Sequence, residues 1–334
     1  IRAIARRIGC DVKTIRKALG RSRPSPMPSR IEPFKARIEE MARRDLTVSR
    51  ILRELRSIGY SGGRTILADL VRSIRGSRKV PRRVFRRFET PPGEEAQADW
   101  SPYRVKIAGR EVRVHCFSMI LAWSRFLWIG FYRDERLPSL LHAHAEAFAA
   151  FGGCPRTIVY DNMTTVTLGR SAGKPIWNPG FLDFARHYGF TPRVCRPRDP
   201  DRKGKIERPF SWIDADLLRG TEFASNDVFR SETRDWLDTV ANIRVHSTTK
   251  RVPAEALLEE RKVLIRLPEI SSPAVARSEV RKVASDGTVC VDGSFYPVPA
   301  ALVGQCVSVR VFPERIEVLD ASGSVVAAHR IPDV

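Results

Sequence analysis

Long apolar runs are missing from this 334-residue chain. The longest, Met119 to Trp123 and Phe126 to Tyr132, are interrupted by Ser124 and Arg125, whereas crossing a bilayer takes roughly 20 apolar residues. The chain begins without Met and without the apolar core of a secretory signal. We therefore expect an intracellular protein that does not enter the membrane.

Two kinds of local motif are missing as well. The six cysteines form no C-x-x-C pair and no short cluster with histidine, which disfavours a disulfide framework and a structural zinc site. The phosphate-loop pattern G-x-x-x-x-G-K-[ST] does not occur. The chain is therefore not expected to hydrolyse ATP itself.

Acidic residues are scarce relative to basic ones: 38 Asp and Glu stand against 58 Lys and Arg, a net charge of +20. Residues 1–98 alone contain 25 basic and 10 acidic residues, a net charge of +15. A globular chain of this charge commonly binds a polyanion such as nucleic acid. The distribution predicts that the first third makes most of these contacts.

Residues 1–19 predict two short helices, separated by Gly9 and with Asp11 capping the second. Ile4, Ala5 and Ile8 would form the apolar face of the first helix. The pattern is typical of a helix-turn-helix, whose second helix enters the DNA major groove; an ordinary basic helical hairpin is the alternative. The expected DNA-binding side chains are Lys13, Arg16 and Lys17.

Residues 30–75 predict three further amphipathic helices and a second DNA-binding unit. In the third helix an apolar set including Ile66 is expected to face inward, and Arg64, Arg72 and Arg75 to face DNA. Two linkers flank this unit, a Pro/Ser-rich one over 21–29 and a basic one over 76–94. The basic linker is either a solvated connection or a strap along the DNA backbone, through Arg82, Arg83, Arg86 and Arg87.

From about residue 97 the sequence is rich in residues that favour β-strands. Three β-rich runs predict an antiparallel meander, and the order that follows, through a long helix over about 203–218, is βββαβαβα. This order is typical of a mixed α/β domain. Helical segments at 226–245 and 253–261 and five short strands between 288 and 328 follow, and the strands predict a small β-barrel.

Three carboxylates stand where a metal site could form. Asp99 lies in the first strand, Asp161 ends the apolar strand TIVYDN, and Glu207 lies on a helix one turn after Lys203. Divalent-metal chemistry on phosphodiesters needs acidic side chains that converge from different elements. Asp199 and Asp201 are alternatives for the third position, but they lie in a Pro/Arg loop.

Three segments together resemble the DDE transposases of the IstA type, in the retroviral-integrase-like group. They are GEEAQADWSP (93–102), VYDNMTT (159–165) and PRDPDRKGKIERPFSWI (197–213). HSTTKRVPAEALLEERKVLIRLP (246–268) resembles the segment that precedes the carboxyl-terminal domain in such proteins. The resemblance implies a multidomain α+β protein with helix-turn-helix units, an RNase H-like α/β catalytic core and a small β-barrel. Of these motifs, VYDN together with KGKIER is the most specific.

The resemblance also implies a function. Asp99, Asp161 and Glu207 would be the catalytic residues and would hold two Mg²⁺ or Mn²⁺ ions per active site. The enzyme would bind its element's terminal repeats, cleave to expose 3′-hydroxyls and join them to target DNA. Expected partners are double-stranded DNA, further copies of the chain and an IstB-type AAA+ ATPase, in the bacterial cytoplasm at the nucleoid. Further expected DNA contacts are Asn162, Lys203, Lys205 and Arg208.

Two other functions stay open on the sequence alone. A DNA-binding regulator could use the RNase H-like domain as a non-catalytic scaffold, and a nuclease of the same fold could cleave without joining. The expected domains are a helix-turn-helix (1–20, truncated at its start), a linker (21–29), a second helical unit (30–75), a basic linker (76–94), the catalytic core (95–220), a helical connector (221–270) and the β-barrel (271–334).

Overall fold

A computed structural model describes residues 1–19, 30–76, 90–161, 163–171, 173–195, 207–269, 277–312 and 315–331. It divides into two compact units, residues 1–81 and 82–334. Among the described residues no helix combines the length and the apolar character needed to cross a membrane. The predicted contacts of Arg82, Arg83, Arg86, Arg87, Asn162, Lys203 and Lys205 lie outside the described residues.

The first unit is helical. Helices α1 (Arg2–Ile8) and α2 (Val12–Ala18) are joined through Gly9, whose φ of 67° is the left-handed conformation that glycine tolerates best. The Asp11 carboxylate caps α2 by accepting a hydrogen bond from the Lys13 amide at 2.6 Å. Ala5 is buried, but Ile4 and Ile8 are exposed, so the predicted apolar face of α1 is only partly covered.

Helices α3 (Lys35–Arg43), α4 (Val48–Ser57) and α5 (Arg64–Arg75) pack around one apolar core. Ile38, Ile51, Leu55 and Leu67 are fully buried in it, as helical spacing predicts. The inward orientation predicted for Ile66 is wrong. Its side chain is 55% exposed, because the buried stripe of α5 runs through Leu67 and Val71 instead.

The second unit contains a mixed sheet whose strands occur in the order β3-β2-β1-β4-β7. The long strands β1 (Glu95–Ile107) and β2 (Arg110–Leu121) and the shorter β3 (Leu127–Tyr132) form the predicted antiparallel meander. Strands β4 (Thr157–Tyr160) and β7 (Thr191–Val194) extend the sheet in parallel with β1. This mixed sheet agrees with the mixed α/β domain expected from the sequence.

Helices cover both faces of this sheet. Helices α6 (Leu137–Phe151) and α7 (Pro179–Tyr188) bury an aromatic-rich core on one face. Helix α8 (Glu207–Ile213) continues as a π-helix over Asp214–Leu218 and packs with α9 (Asn226–Trp236) on the other face. The predicted long helix over 203–218 is therefore described from Glu207 onward.

Three elements add to the predicted order. Strands β5 (Thr167–Ser171) and β6 (Lys174–Trp177) form a hairpin between β4 and α7. Its short, Gly- and Pro-containing strands carry little of the alternation that identifies a strand in a sequence. The short strand β8 (Glu222–Phe223) pairs with the far end of β1.

The segment after α9 is anchored to the core. Helix α10 (Pro253–Glu260) ends at Glu260, whose buried carboxylate accepts hydrogen bonds from the Gly93 amide at 2.9 Å and the Ser124 amide at 3.1 Å. Arg261 donates to the carbonyls of Ala150 and Phe151 at the end of α6. These contacts fix the connector against the start of β1.

The carboxyl-terminal strands form two sheets over one apolar core. Strands β9 (Arg277–Lys282), β12 (Cys306–Val311), β13 (Arg315–Leu319) and β14 (Val325–Arg330) form a four-stranded antiparallel sheet. Strands β10 (Thr288–Val291) and β11 (Ser294–Pro297) form a separate hairpin. The predicted closed barrel is not confirmed, because in the described residues the two sheets share a core without a continuous ladder.

Candidate active site

Two of the three predicted catalytic carboxylates follow neighbouring parallel strands. Ala98 of β1 and Tyr160 of β4 are partners in the parallel ladder, and the next residues are Asp99 and Asp161. Side chains of paired residues in parallel strands project from the same face, and successive residues alternate between faces. Asp99 and Asp161 thus directly follow the last pair of this ladder, and both are partly buried.

The face that carries Asp99 is the face that α8 covers. Tyr103 and Val105, which share the β1 face of Asp99 by strand alternation, belong to the core formed with Ile213 at the end of α8. The Tyr103 hydroxyl donates a hydrogen bond to the Phe210 carbonyl at 2.8 Å. Glu207, the first residue of α8, thus begins the helix that packs on this face; its side chain lies outside the described part of the structure.

Local hydrogen bonds shape the backbone at both carboxylates. An oxygen of Asp99 accepts a hydrogen bond from the Trp100 amide at 2.8 Å. The Met163 amide donates to the Asp161 carbonyl at 2.6 Å, which turns the chain away from the sheet directly after β4. Asp99 therefore lies within β1, and Asp161 lies in the turn that directly follows β4.

Ser118 is a buried polar residue beside Asp99 that sequence reasoning did not single out. It lies directly opposite Asp99 in the β1–β2 ladder and is fully buried, and its hydroxyl has no hydrogen-bond partner among the described residues. Directly opposed side chains in an antiparallel pair have Cβ atoms about 5 Å apart. The available signal was a lone polar residue inside the apolar run from Cys116 to Leu121.

The donor chemistry at this position fits a divalent cation. Asp99 and Asp161 offer carboxylate oxygens, the ligands that Mg²⁺ and Mn²⁺ prefer. The described side chains include no group of three or more His, Cys, Asp and Glu residues placed to hold a metal ion. The described part of the site thus contributes two carboxylates.

A buried histidine supports β4 from the opposite face of the sheet. His144 of α6 is fully enclosed by aromatic side chains, among them Phe117 and Phe190. Its Nδ1 lies 2.7 Å from the Leu140 carbonyl and so carries the proton, which leaves Nε2 to accept a hydrogen bond from the Tyr160 hydroxyl at 2.8 Å. Burial lowers the pKa of His144 to about 4. The neutral imidazole therefore fixes the residue that precedes Asp161.

The predicted DNA-binding residues of the first unit differ in their surroundings. On α2, Lys13, Arg16 and Lys17 are exposed around the buried Ile15. On α5, Arg64 is exposed, and the exposed Arg72 forms an ion pair with Asp69 at 2.6 Å.

Arg75 is engaged inside the unit. It donates to the carbonyls of Ala42 at 3.0 Å and Leu46 at 2.6 Å. In the second unit, Arg208 belongs to α8, and its side chain lies outside the described part.

Two protein-family models match the chain. The integrase core domain matches residues 89–200, which include the mixed sheet with Asp99 and Asp161. The carboxyl-terminal domain of Mu transposase matches residues 267–331, which include the two terminal sheets.

Transposases of bacterial insertion sequences are similar over nearly the whole chain. The putative transposase for insertion sequence element IS5376 of Geobacillus stearothermophilus is 34% identical over 316 residues, which cover 92% of this chain and 78% of that protein. The transposase for insertion sequence element IS21 of Pseudomonas aeruginosa is 31% identical over 335 residues, which cover 98% and 85%.

Solved integrase structures match more distantly. A subunit of a simian T-cell lymphotropic virus intasome, solved in complex with a regulatory subunit of PP2A, is 13% identical with a TM-score of 0.40, over 81% of this chain and 89% of that one. The HTLV-2 integrase catalytic core domain in complex with magnesium is also 13% identical, with a TM-score of 0.37, over 51% and 99%.

The identity and coverage of the relatives, together with the integrase core domain, confirm the resemblance drawn from the sequence motifs. The chain belongs to the IstA-type transposases of the IS21 family of insertion sequences, which are DDE polynucleotidyl transferases with an integrase core domain.

Proposed function

We propose that this transposase binds the terminal repeats of its own mobile element, cleaves there to expose 3′-hydroxyls and joins them to target DNA. Asp99, Asp161 and Glu207 are the catalytic residues in this proposal. The observation that supports it is the parallel ladder of β1 and β4, whose last pair, Ala98 and Tyr160, directly precedes Asp99 and Asp161, together with the packing of α8, which begins at Glu207, on the Asp99 face of β1.

The three carboxylates would hold Mg²⁺ or Mn²⁺, two ions per site. When bound, such ions activate the attacking oxygen and stabilise the oxygen that leaves. The protein contributes position. In this proposal the parallel ladder of β1 and β4 keeps Asp99 and Asp161 near each other, and the hydrogen bond from Tyr103 to Phe210 holds α8 against β1. The rigid support limits how far the carboxylates can separate as charge develops on the phosphate.

Both proposed steps balance without an external energy source. In cleavage, a water oxygen bonds to phosphorus, the bond from phosphorus to the 3′-oxygen breaks, and a proton restores the 3′-hydroxyl. In joining, that 3′-hydroxyl bonds to a target phosphorus while the target's own 3′-oxygen leaves and takes up a proton. Cleavage hydrolyses one phosphodiester bond and joining exchanges one phosphorus–oxygen ester bond for another, so neither step needs a covalent enzyme intermediate.

The remaining contacts with DNA are assigned to the basic surfaces. The two helical units of residues 1–20 and 30–75 would act as helix-turn-helix modules that read the terminal repeats, with Lys13, Arg16, Lys17 and Arg64 toward the duplex. Two ends must be processed together, so the working form would contain two or more copies of the chain. No phosphate-loop motif occurs in this sequence, and the family resemblance implies an IstB-type AAA+ ATPase as the partner that would hydrolyse ATP.

The test uses a labelled duplex in which an element end continues into flanking DNA, with full-length protein and Mn²⁺. Wild type should nick the end and produce strand-joined product, whereas Asp161→Asn should bind equally well and yield neither product. Asp183→Asn is the matched control, because Asp183 is an exposed carboxylate on α7 that pairs with Arg186. Binding by wild type without any nicking at any metal concentration would favour the regulator instead.

A further inference from the structure

Four stacked side chains join α8 to α9 and to the segment that follows α9. The Arg244 guanidinium lies over the Trp212 ring, with its Cζ atom 3.6 Å from the ring centroid. Trp212 in turn packs against Trp236 of α9, and their ring centroids are 4.6 Å apart. Trp236 donates a hydrogen bond from Nε1 to the Asp216 carboxylate at 3.0 Å. Because Asp216 and Trp236 are buried, Trp212 is half-buried and Arg244 is exposed, this indole stack runs from the interior to the surface.

The charges at the two ends of the indole stack balance each other. The Asp216 side chain belongs to a residue that is only 2% exposed, and a carboxylate so deeply buried is costly unless an opposite charge and hydrogen bonds support it. The Arg244 side chain as a whole is exposed, but burial of its guanidinium lowers its pKa, and the Asp216 charge opposes that shift. The ring quadrupole of an indole attracts a cation placed over its face. The stack therefore favours a charged guanidinium on Trp212.

The backbone that carries Arg244 is anchored to the mixed sheet. Asn242, two residues earlier, is buried, and its side-chain amide forms two hydrogen bonds with the backbone of Leu127. Its Oδ1 accepts from the Leu127 amide and its Nδ2 donates to the Leu127 carbonyl, both at 2.9 Å. Leu127 is the first residue of β3. Arg244 therefore reaches α8 from a segment whose position relative to the sheet is fixed.

Helix α8 depends on such tertiary contacts. Its described part has seven residues before the chain continues as a π-helix, and helices shorter than about 12 residues are marginal without packing. On the inner side, Ile213 belongs to the core and the Phe210 carbonyl accepts the hydrogen bond from Tyr103. On the outer side, Arg244 covers the half-buried Trp212. The helix is thus held from two sides, and Arg244 is the outer contact.

We propose that Arg244 is a positioning residue for the reaction: by stacking on Trp212 it fixes α8, and with it the backbone of Glu207, against the strand that carries Asp99. The inference rests on the proposed function, in which Glu207 is a catalytic residue. Arg244 acts through the helix in this role and contacts neither DNA nor metal. Small movements of the helix matter, because about 1 Å of misplacement can slow a reaction about 100-fold.

The first test measures single-turnover nicking of the labelled element-end duplex by the full-length protein, at saturating protein and over a range of Mn²⁺ concentrations. Arg244→Ala should slow nicking about tenfold, equivalent to about 1.4 kcal/mol. The Mn²⁺ concentration for half-maximal nicking should rise, whereas the Kd for the duplex should stay at the wild-type value. Arg244→Lys should recover part of the rate, because an ammonium group also binds the face of an indole. A slow rate in the lysine variant equal to that of the alanine variant would overturn the proposal.

Arg251→Ala is the matched control. Arg251 follows α9 as Arg244 does, and its guanidinium lies over the Trp123 ring at 5.0 Å, so the variant removes the same charge and the same kind of contact away from α8. It should nick at the wild-type rate. Because residues in contact lose their effects together, Arg244→Ala should slow Trp212→Leu no further. Equal losses in the two arginine variants, or additive losses in the Trp212→Leu background, would contradict the proposed role.

Hydrogen exchange of the α8 backbone amides tests the same role without any reaction. Exchange over Glu207–Ile213 should be faster in Arg244→Ala than in Arg251→Ala, and unchanged exchange would refute the proposal. A direct DNA contact is the competing role: it would make Arg244→Ala bind the duplex more weakly and lower the slope of log Kd against log salt by about 0.9. If wild type never nicks DNA but α8 still exchanges faster in Arg244→Ala, the proposed function fails and the support of α8 by Arg244 stands.

Discussion

The hydroxyl of Tyr160 donates a hydrogen bond to Nε2 of His144 at 2.8 Å, and Tyr160 is the residue directly before Asp161. The bond is buried beneath the sheet, and the side chains around it are aromatic. A polar group buried in an apolar core without its hydrogen-bond partner costs free energy. When the hydrogen bond is made, it favours one arrangement of the two side chains. The pair therefore fixes the end of β4 and, through the backbone, the position of Asp161.

Stability should fall in acid because of His144. Its pKa is about 4 in the folded chain and about 6.5 in an unfolded one. The folded state therefore resists protonation, and the stability that neutral His144 contributes is present above pH 6.5 and lost as the pH falls from 6.5 toward 4. The full effect is about 3 kcal/mol. Urea unfolding at pH 7.0, 5.5 and 4.5 should show this loss in wild type, and His144→Gln should show a smaller pH dependence of the unfolding free energy.

Much of the core follows from local pattern. The three β-rich runs predict the antiparallel meander that β1 to β3 form, and the predicted element order places α6 and α7 around β4. The pairing of Asp99 with Asp161 does not follow from local pattern, because 62 residues separate them and parallel register depends on the packing of α6 and α7. The family resemblance supplied that pairing instead.

Other differences also have physical causes. Ile66 satisfies the apolar spacing of α5 but falls just outside the arc that α3 and α4 cover. Arg75 reads as a surface base in the sequence, but its guanidinium reaches back to carbonyls near the end of α3. Such long side-chain contacts depend on how helices pack, and the sequence alone does not reveal them.

Ser118→Ala should leave stability unchanged or raise it by up to about 1 kcal/mol, because the buried hydroxyl lacks a partner among the described residues and alanine removes its desolvation cost. If the Ser118 hydroxyl helps to position the Asp99 carboxylate opposite it in the β1–β2 ladder, the same change should lower the rate of nicking several-fold at unchanged DNA affinity. Thermal unfolding and single-turnover nicking measure the two effects. A destabilised variant would indicate a structural hydrogen bond instead.

Glu260→Ala should destabilise the second unit by about 3 kcal/mol, since two buried amides, those of Gly93 and Ser124, lose their acceptor at once. Glu260→Gln should cost less, because the remaining amide oxygen still accepts one of the two bonds. Glu259→Ala is the matched control: its exposed carboxylate lies 3.6 Å from Arg251, and such pairs contribute at most about 1 kcal/mol. Chemical denaturation measures the loss of stability in each of the three variants. Equal losses in Glu259→Ala and Glu260→Ala would contradict this prediction.

Arg75→Ala and Arg64→Ala should separate stability from DNA affinity within the first unit. Arg75 satisfies carbonyls of Ala42 and Leu46, so its loss should lower the stability of that unit by about 1–3 kcal/mol. Arg64 is exposed at the start of α5, so its loss should leave stability within about 0.5 kcal/mol. If α5 lies on the duplex, Arg64→Ala should instead lower the salt slope of binding by about 1. Thermal unfolding and fluorescence anisotropy on an element-end duplex measure both quantities. The opposite assignment, with Arg75→Ala as stable as wild type but deficient in binding, would show that Arg75 leaves its carbonyl partners to contact DNA.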